Sequence, residues 1–252
     1  MSLRRDLDRL RHHARRPLAR APYVWDATMV MRPGKRATLA RRDTAIVLDG
    51  FLRSGNTFAV AAFSIANAPG LHIGRHLHGA PHILRAVRLG LPTVVLIRQP
   101  ADAVSSYLIR RPTLTPDDGL VEYLDFYRTA WRVRDGFVVG LFDDVVADFG
   151  AVITAVNERF GTSFEPYRPS PESRRAAFAL VEEMNRRECR GELVETHVGR
   201  PSMHRDERRR EIRGLMQSPR TLSLLRQAEA VFTDYAARAH TSRLNAGPDP
   251  RP

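Results

Sequence analysis

Short, uninterrupted apolar runs alternate with helical patterns through the first two thirds of the chain. Three such runs occur, at residues 45–48, 93–97 and 137–142. Runs of this length without polar interruption are typical of strands buried on both faces of a parallel sheet. Each run is followed by a stretch with a helical pattern, over residues 58–68, 101–110 and 149–160. Strand followed by helix, three times over, predicts an α/β fold whose central sheet is mostly parallel.

The second half of the chain is expected to be mainly helical. A proline-rich connector at 166–171 precedes helical patterns over 172–190 and 205–239. The length allows one or two domains, and we expect a single domain spanning residues 1–252. Its expected parts are a basic N-terminal arm, an α/β core, a helical region covering the core and a loose tail, at residues 1–42, 43–165, 166–240 and 241–252.

The composition excludes several classes of protein. With 43% hydrophobic and 27% charged residues, the chain is neither disordered nor fibrous. No run reaches the roughly 18 uncharged apolar residues of a membrane-spanning helix, and the first ten residues lack the apolar centre of a signal peptide. Cys189 is the single cysteine, which excludes an internal disulfide and a multi-cysteine zinc site. We therefore expect a cytoplasmic protein.

The net charge of +12 favours an anionic partner. Part of the excess reflects a general preference for arginine, since Lys35 is the only lysine among 40 basic residues. Leu3, Leu7 and Leu10 follow helical spacing in the basic arm, which is either a solvated helix or a weak membrane-surface contact. A nucleic-acid-binding module is a further alternative, although aromatic residues in the arm are few.

A glycine-bearing turn between the first strand and the first helix, Gly50-Phe51-Leu52-Arg53-Ser54-Gly55-Asn56-Thr57, carries the strongest local signal. Such a turn exposes backbone N–H groups at a helix N-terminus, which suits a phosphate or sulfate. The octet follows the Walker A pattern except that Asn56 stands where lysine is required, and the cation lies at Arg53. Losing that lysine argues against hydrolysis of a nucleoside triphosphate.

A second candidate binding motif follows the second predicted strand. Arg98 lies at the carboxyl end of that strand, where open α/β sheets bind ligands. Pro100 and Asp102 begin the next helix, and Ser106 follows Arg98 by eight residues. An arginine and a serine in this arrangement can bind one phosphate together, unless Arg98 instead pairs with Asp102.

Together the two motifs resemble those of sulfotransferases that use 3′-phosphoadenosine 5′-phosphosulfate. Residues 53–57 are similar to the family's 5′-phosphosulfate loop, and residues 98–106 are similar to its 3′-phosphate motif, Arg-x-Pro-x-Asp with a later serine. Residues 142–145 are similar to the family's Tyr-Glu-Asp-Leu segment, with Phe142 replacing the tyrosine. The resemblance spans residues 44 to about 165, and makes the α/β core a nucleotide-binding core with a fold like that of P-loop NTPases.

The resemblance implies specific roles for these residues. The backbone and side chains of Arg53, Ser54, Gly55, Asn56 and Thr57 would bind the 5′-phosphosulfate, and Arg53 would stabilise the leaving oxygen. Arg98 and Ser106 would bind the 3′-phosphate. The family's late nucleotide-binding loop has no clean match in this sequence. We take residues 201–205 as its counterpart, which would place Arg205 near the 3′-phosphate.

A histidine-rich segment before the second predicted strand supplies the candidate catalytic base. The family carries a histidine about twenty-two residues before its motif arginine, and this spacing reaches His76. His76 and His78 would face one side of an extended segment, so that one accepts the proton of the acceptor hydroxyl while the other binds acceptor or packs. A zinc site is the alternative, although no acidic or cysteine ligand is near in sequence.

The sequence thus predicts transfer of a sulfuryl group from 3′-phosphoadenosine 5′-phosphosulfate to a hydroxyl of a carbohydrate, lipid or small metabolite, with 3′-phosphoadenosine 5′-phosphate as product and no metal. The alternatives are a P-loop kinase-like phosphotransferase and the nucleic-acid-binding module. Acceptor contacts are expected from loops at 110–122 and 165–205. Phe126, Tyr127 and Trp131 are either a stacking wall or core residues.

Overall fold

A four-stranded sheet with every strand parallel forms the centre of the protein. The computed structural model describes residues 22–194 and 203–245. The strands are β1 (Ile46–Gly50), β2 (Ile73–Arg75), β3 (Thr93–Ile97) and β4 (Val138–Leu141), in the sheet order β2-β1-β3-β4. All three pairings are parallel. The α/β class and the parallel sheet predicted from the sequence are therefore confirmed.

Both faces of the sheet are buried, which explains the apolar runs in β1, β3 and β4. Along β3, Val94 and Leu96 belong to one hydrophobic core, while Val95 and Ile97 belong to the other. The alternation follows from the two-residue period of a strand. All five residues of β3 are buried, so neither face can carry a charge without a partner.

Ten α-helices and one short 3-10 helix (Trp131–Gly136) are described around the sheet. The α-helices are α1 (Pro22–Val30), α2 (Pro33–Arg36), α3 (Asn56–Ala66), α4 (Ala80–Arg88), α5 (Pro100–Arg110), α6 (Pro116–Ala130), α7 (Phe142–Phe160), α8 (Pro171–Glu188), α9 (Met203–Gly214) and α10 (Pro219–Asn245). Residues of α3, α7 and α8 share one core with the sheet, and residues of α4, α5, α6 and α10 share the other. No described helix is both long enough and apolar enough to cross a membrane.

Several elements differ from the sequence prediction. The strand β2 and the helices α4 and α6 were not predicted, and α6 begins inside the segment expected to be an acceptor loop. Its start is fixed by a capping box in which Thr115 and Asp118 exchange side-chain and backbone hydrogen bonds. The single helix expected over 205–239 is two helices, because the Ser218 hydroxyl accepts the Thr221 N–H (3.1 Å) and starts α10 anew.

The strand order creates a crevice at the carboxyl edge of the sheet. The chain leaves β1 for β2 on one side, whereas β3 lies on the other side of β1. Connections that diverge from neighbouring strands in this way leave a gap between them, which is where open α/β sheets bind ligands. The first sequence motif is the loop after β1, and the second begins at Arg98, directly after β3. The two motifs meet at this gap.

Replacing Gly50 by alanine tests how tightly β1 and β3 approach there. A Cβ at Gly50 would lie 2.1 Å from the carbonyl oxygen of Leu96, so the backbones would have to separate. We expect Gly50→Ala to lower the free energy of unfolding by about 3 kcal/mol, measured by urea denaturation. Gly214→Ala is the control, since nothing lies within 4 Å of its Cβ position. Equal stability of the two variants would contradict this close approach.

Candidate functional site

The loop after β1 is held in shape by its own polar groups. Arg53 (φ 69°) and Gly55 (φ 90°) adopt left-handed backbone conformations, and Gly55 caps the N-terminus of α3. The carbonyl of Phe51 accepts the Ser54 N–H (3.3 Å) and the Asn56 side-chain amide (2.9 Å). Asn56 therefore closes the loop from inside. Thr57 and Gly55 remain partly exposed at its outer side.

Ser54 directs its hydroxyl into the core. Its Oγ lies 3.1 Å from the Tyr127 hydroxyl, which itself donates to the carbonyl of Leu96 (2.7 Å). Ser54 is fully buried, and both its N–H and its hydroxyl have partners within the protein, so neither group is presented to a ligand. Tyr127 belongs to the core, with Phe126 also buried, and the structure thereby decides against the stacking wall at these two positions.

The structure brings Arg53, Arg98 and Ser106 together, as the two motifs predict. Arg53 donates from Nε to the Ser106 hydroxyl (3.0 Å), and Arg98 Nη1 lies 3.5 Å from the Arg53 carbonyl oxygen. Ser106 is buried on α5. Its hydroxyl oxygen accepts from Arg53, which leaves its own hydrogen for another acceptor.

Arg98 is a partly buried cation whose charge is not matched by a carboxylate. Among the described residues no carboxylate forms an ion pair with Arg98, and its Nε is buried without a hydrogen-bond partner. Its guanidinium stacks on Phe142 (3.9 Å to the ring centroid). Burial lowers the pKa of Arg98 to about 10, and the charges of Arg209 and Arg213 act in the same direction. Such a site favours an anion.

Asp102, the other candidate partner of Arg98, is engaged elsewhere. Its carboxylate forms an ion pair with Arg213 on α9. The pairing connects α9 to α5 at the edge of the crevice and leaves Arg98 available to a ligand. The alternative in which Asp102 neutralises Arg98 is therefore wrong.

Arg209 is a site residue that the sequence analysis missed. It lies on α9, and its positive charge acts on Arg98 in the direction that lowers the pKa of Arg98. The predicted Arg205 lies one helical turn earlier on α9, and its side chain is outside the described part of the structure. The signal for Arg209 was its four-residue spacing from Arg205, but five arginines between 205 and 213 concealed it.

Asp49, near the end of β1, organises the histidine-rich segment. Its fully buried carboxylate accepts the N–H groups of Gly50 (3.0 Å), Leu77 (3.1 Å) and His78 (3.2 Å). His82 donates from Nδ1 (2.8 Å). Burial alone would raise the pKa of Asp49, but the hydrogen bonds from His78 and His82 outweigh that effect and hold the pKa of Asp49 far below its usual range.

The tautomer of His82 follows from its two partners. Its Nε2 accepts the backbone N–H of Ala40 (3.1 Å), so that nitrogen carries no proton, and the proton on Nδ1 is donated to Asp49. Both ring nitrogens are thus occupied in the core. His82 is a structural residue that links α4, β1 and the segment before β1.

His76 and His78 do not alternate along an extended segment, contrary to the prediction. Both have left-handed backbone conformations (φ 56° and 51°), because β2 ends at Arg75 and the chain turns there. The turn still brings the two rings together, with centroids 5.8 Å apart. Asp49 fixes this turn through the N–H groups of Leu77 and His78.

The two histidines have different surroundings. His78 Nδ1 lies 3.0 Å from the Gly50 carbonyl oxygen, which can only accept, so Nδ1 carries the proton and Nε2 the lone pair. His76 Nε2 is buried without a hydrogen-bond partner, and burial lowers the pKa of His76 to about 3. His78 is therefore the better placed proton acceptor of the two.

Within residues 22–194 and 203–245, no group of three or more histidine, cysteine, aspartate or glutamate side chains has a metal-binding arrangement.

Comparisons with protein-family models, with curated proteins and with solved structures find no match for this chain. The chemistry of the site thus rests on its geometry: a set of arginines suited to phosphate groups, a glycine turn at a helix N-terminus and a histidine with one free nitrogen.

Removing the charge of Asp49 tests its role in organising the site. We expect Asp49→Asn to lower the free energy of unfolding by about 3–5 kcal/mol, since the hydrogen bonds to the buried charge are lost. Because its folded pKa lies below the unfolded value of about 3.9, the carboxylate stabilises the fold above that pH. This stability is lost as the pH falls below about 4.

The measurement is urea denaturation at a series of pH values. The Asp49→Asn protein should lack this part of the acid dependence, whereas Asp43→Asn, which changes an exposed carboxylate paired with Arg41, should leave it unchanged. An Asp49→Asn protein with wild-type acid dependence would show that Asp49 is not the group responsible.

Proposed function

We propose that the protein is a sulfotransferase with a P-loop-like donor site. It would transfer a sulfuryl group from 3′-phosphoadenosine 5′-phosphosulfate to the hydroxyl of a carbohydrate, lipid or small metabolite. The bond from sulfur to the acceptor oxygen forms as the bond from sulfur to the phosphate oxygen breaks. The acceptor's proton goes to a histidine, and 3′-phosphoadenosine 5′-phosphate leaves with the electron pair.

One observation carries the proposal: two sequence motifs about forty residues apart meet at the crevice, where the guanidinium of Arg98 has no ion pair with any described carboxylate. A partly buried cation without a carboxylate partner carries a desolvation cost that an anionic ligand would offset. Arg98 and the hydroxyl of Ser106 would bind the 3′-phosphate, with Arg209 as an additional cation. The resemblance of residues 53–57 to a phosphosulfate loop supports the other end of the donor.

The loop would bind the phosphosulfate mainly through its backbone. The hydroxyl of Ser54 and the amide of Asn56 are turned inward, so the N–H groups of Gly55, Asn56 and Thr57 at the N-terminus of α3 are the groups that support this role. Arg53 would stabilise charge on the leaving oxygen.

His78 is the base that the geometry supports best. Its Nδ1 proton is directed to the Gly50 carbonyl at the start of the loop, so Nε2 is the nitrogen able to take the acceptor's proton. His76, with its low pKa, is the weaker acceptor and would contact the acceptor molecule instead.

Ligand-induced thermal stabilisation tests the donor site. We expect 3′-phosphoadenosine 5′-phosphate at a hundredfold excess over its dissociation constant to stabilise the protein by ~2.7 kcal/mol, and Arg98→Ala to abolish the shift in melting temperature. Arg128→Ala removes the same charge from an exposed position on α6 and should keep the shift. ATP with magnesium is the parallel ligand, and stabilisation by it alone would favour the phosphotransferase.

The assignment of the base is tested by His78→Asn. The asparagine amide can still donate to the Gly50 carbonyl but has no basic nitrogen, so the rate should fall by about a hundredfold or more. The measurement is formation of 3′-phosphoadenosine 5′-phosphate from the sulfated donor with a mixture of hydroxyl-bearing acceptors. Thermal stabilisation by the product should be retained. If His76→Asn loses the rate and His78→Asn keeps it, the base is His76.

A further inference from the structure

The first two helices form a surface that the proposed chemistry does not use. Seven large hydrophobic residues are strongly exposed in the described part of the protein, and four of them lie between residues 23 and 31. They are Tyr23 (77% exposed), Val24 (47%), Val30 (44%) and Met31 (82%). Exposed apolar residues are ordinary when single, but a cluster on one element indicates an interaction surface.

Three of these residues form one stripe together with Ala27, which is also exposed. Tyr23, Ala27, Val30 and Met31 have the spacing i, i+4, i+7 and i+8, which places them on one side of a helix. The N–H of Met31 donates to the carbonyl of Ala27 (3.1 Å), so the helical course continues to the end of the stripe. Val24 flanks the stripe.

The opposite side of α1 is anchored to the domain. Trp25 and Asp26 are buried, and Asp26 forms ion pairs with Arg85 (2.9 Å) and Arg88 (3.0 Å) on α4. The indole of Trp25 lies against Gly79, whose added Cβ would be 3.0 Å from the ring. The stripe therefore faces outward on a fixed helix, which gives it a defined orientation.

The residues that follow the stripe in sequence include three exposed cations. Arg32, Lys35 and Arg36 lie on or beside α2, and all three are exposed. Asp26 is the only acid between residues 22 and 42, and its charge is already neutralised in the interior. We call the surface made by Tyr23, Val24, Val30, Met31, Arg32 and Arg36 the α1–α2 face.

We propose that the α1–α2 face docks the protein on an anionic lipid surface. Apolar side chains enter the boundary between headgroups and acyl chains, while arginines and lysines attract the negative lipids. An exposed tyrosine suits this boundary because its ring is apolar and its hydroxyl polar. Two copies of this protein would not pair through the face, since both faces carry positive charge.

Sedimentation of the full-length protein with vesicles tests the proposal. We expect binding to vesicles of phosphatidylcholine with phosphatidylglycerol to be at least about tenfold tighter than to phosphatidylcholine alone, and to weaken with salt. Met31→Glu should reduce the anionic-vesicle binding by about tenfold or more, and Arg36→Ser by about fivefold.

Two control variants are matched to these changes. Leu215→Glu alters another exposed apolar residue (70% exposed), and Arg128→Ser removes another exposed arginine, so both should bind vesicles as the wild type does. Met31→Glu should keep its melting temperature and its stabilisation by 3′-phosphoadenosine 5′-phosphate. Vesicle binding tests the docking proposal, whereas stabilisation by 3′-phosphoadenosine 5′-phosphate tests the donor-site proposal, so a failure of one is distinguishable from a failure of the other.

Three outcomes would overturn the docking proposal. Absence of wild-type binding to anionic vesicles is the first. Undiminished binding of Met31→Glu is the second, because another part of the chain would then bind the lipid. The third is a change in oligomeric state of Met31→Glu, measured by light scattering, without a change in vesicle binding, which would make the face a protein interface.

Discussion

The buried carboxylate of Asp49 is the interaction on which the arrangement of the candidate site depends. A charge without solvent is tolerated only when it is fully hydrogen-bonded. Here the donors come from the end of β1, from the turn at residues 76–79 and from α4. The need to satisfy one carboxylate therefore fixes three chain segments relative to one another. It also explains how His76 and His78 hold left-handed backbone conformations that are unfavourable for non-glycine residues.

The positive charge of Arg98, unlike the carboxylate of Asp49, is not fully neutralised within the described part of the protein. Arg98, Arg209 and Arg213 contribute positive charge at the carboxyl edge of the sheet. Asp102 forms an ion pair with Arg213. The negative charge of Asp143 offsets only part of the effect of the arginines on the pKa of Arg98. The aromatic ring of Phe142 lies under Arg98 and supplies part of the stabilisation that a carboxylate would otherwise give. A fold that retains this repulsion without a ligand is less stable than it could be. A local loss of stability through repulsion between like charges is typical of sites that bind anions.

The sequence predicted the parts of the structure whose signal is local. The strands β1, β3 and β4 are apolar because both of their faces are buried, and the motifs after β1 and β3 are contiguous. The strand β2 has only three residues and includes Arg75, so it lacks that signal. His82 and Asp49 are 33 residues apart, and nothing in the local pattern indicates that they meet. The role of Asn56 was missed for the same reason, because its partner is a backbone carbonyl.

The contrast between the two neighbouring histidines follows from these constraints. A base that gains a proton becomes a cation, and a second cation 5.8 Å away would oppose the transfer. Burial lowers the pKa of His76 to about 3, so His76 stays neutral, and in the proposed reaction only one of the two rings would become charged. Asp49 Oδ1 lies 3.3 Å from Nδ1 of His78, so the buried carboxylate is next to the ring that the proposal assigns as the base. The turn held by Asp49 thus gives the two neighbouring histidines different surroundings: it buries His76 and places the His78 ring beside a carboxylate.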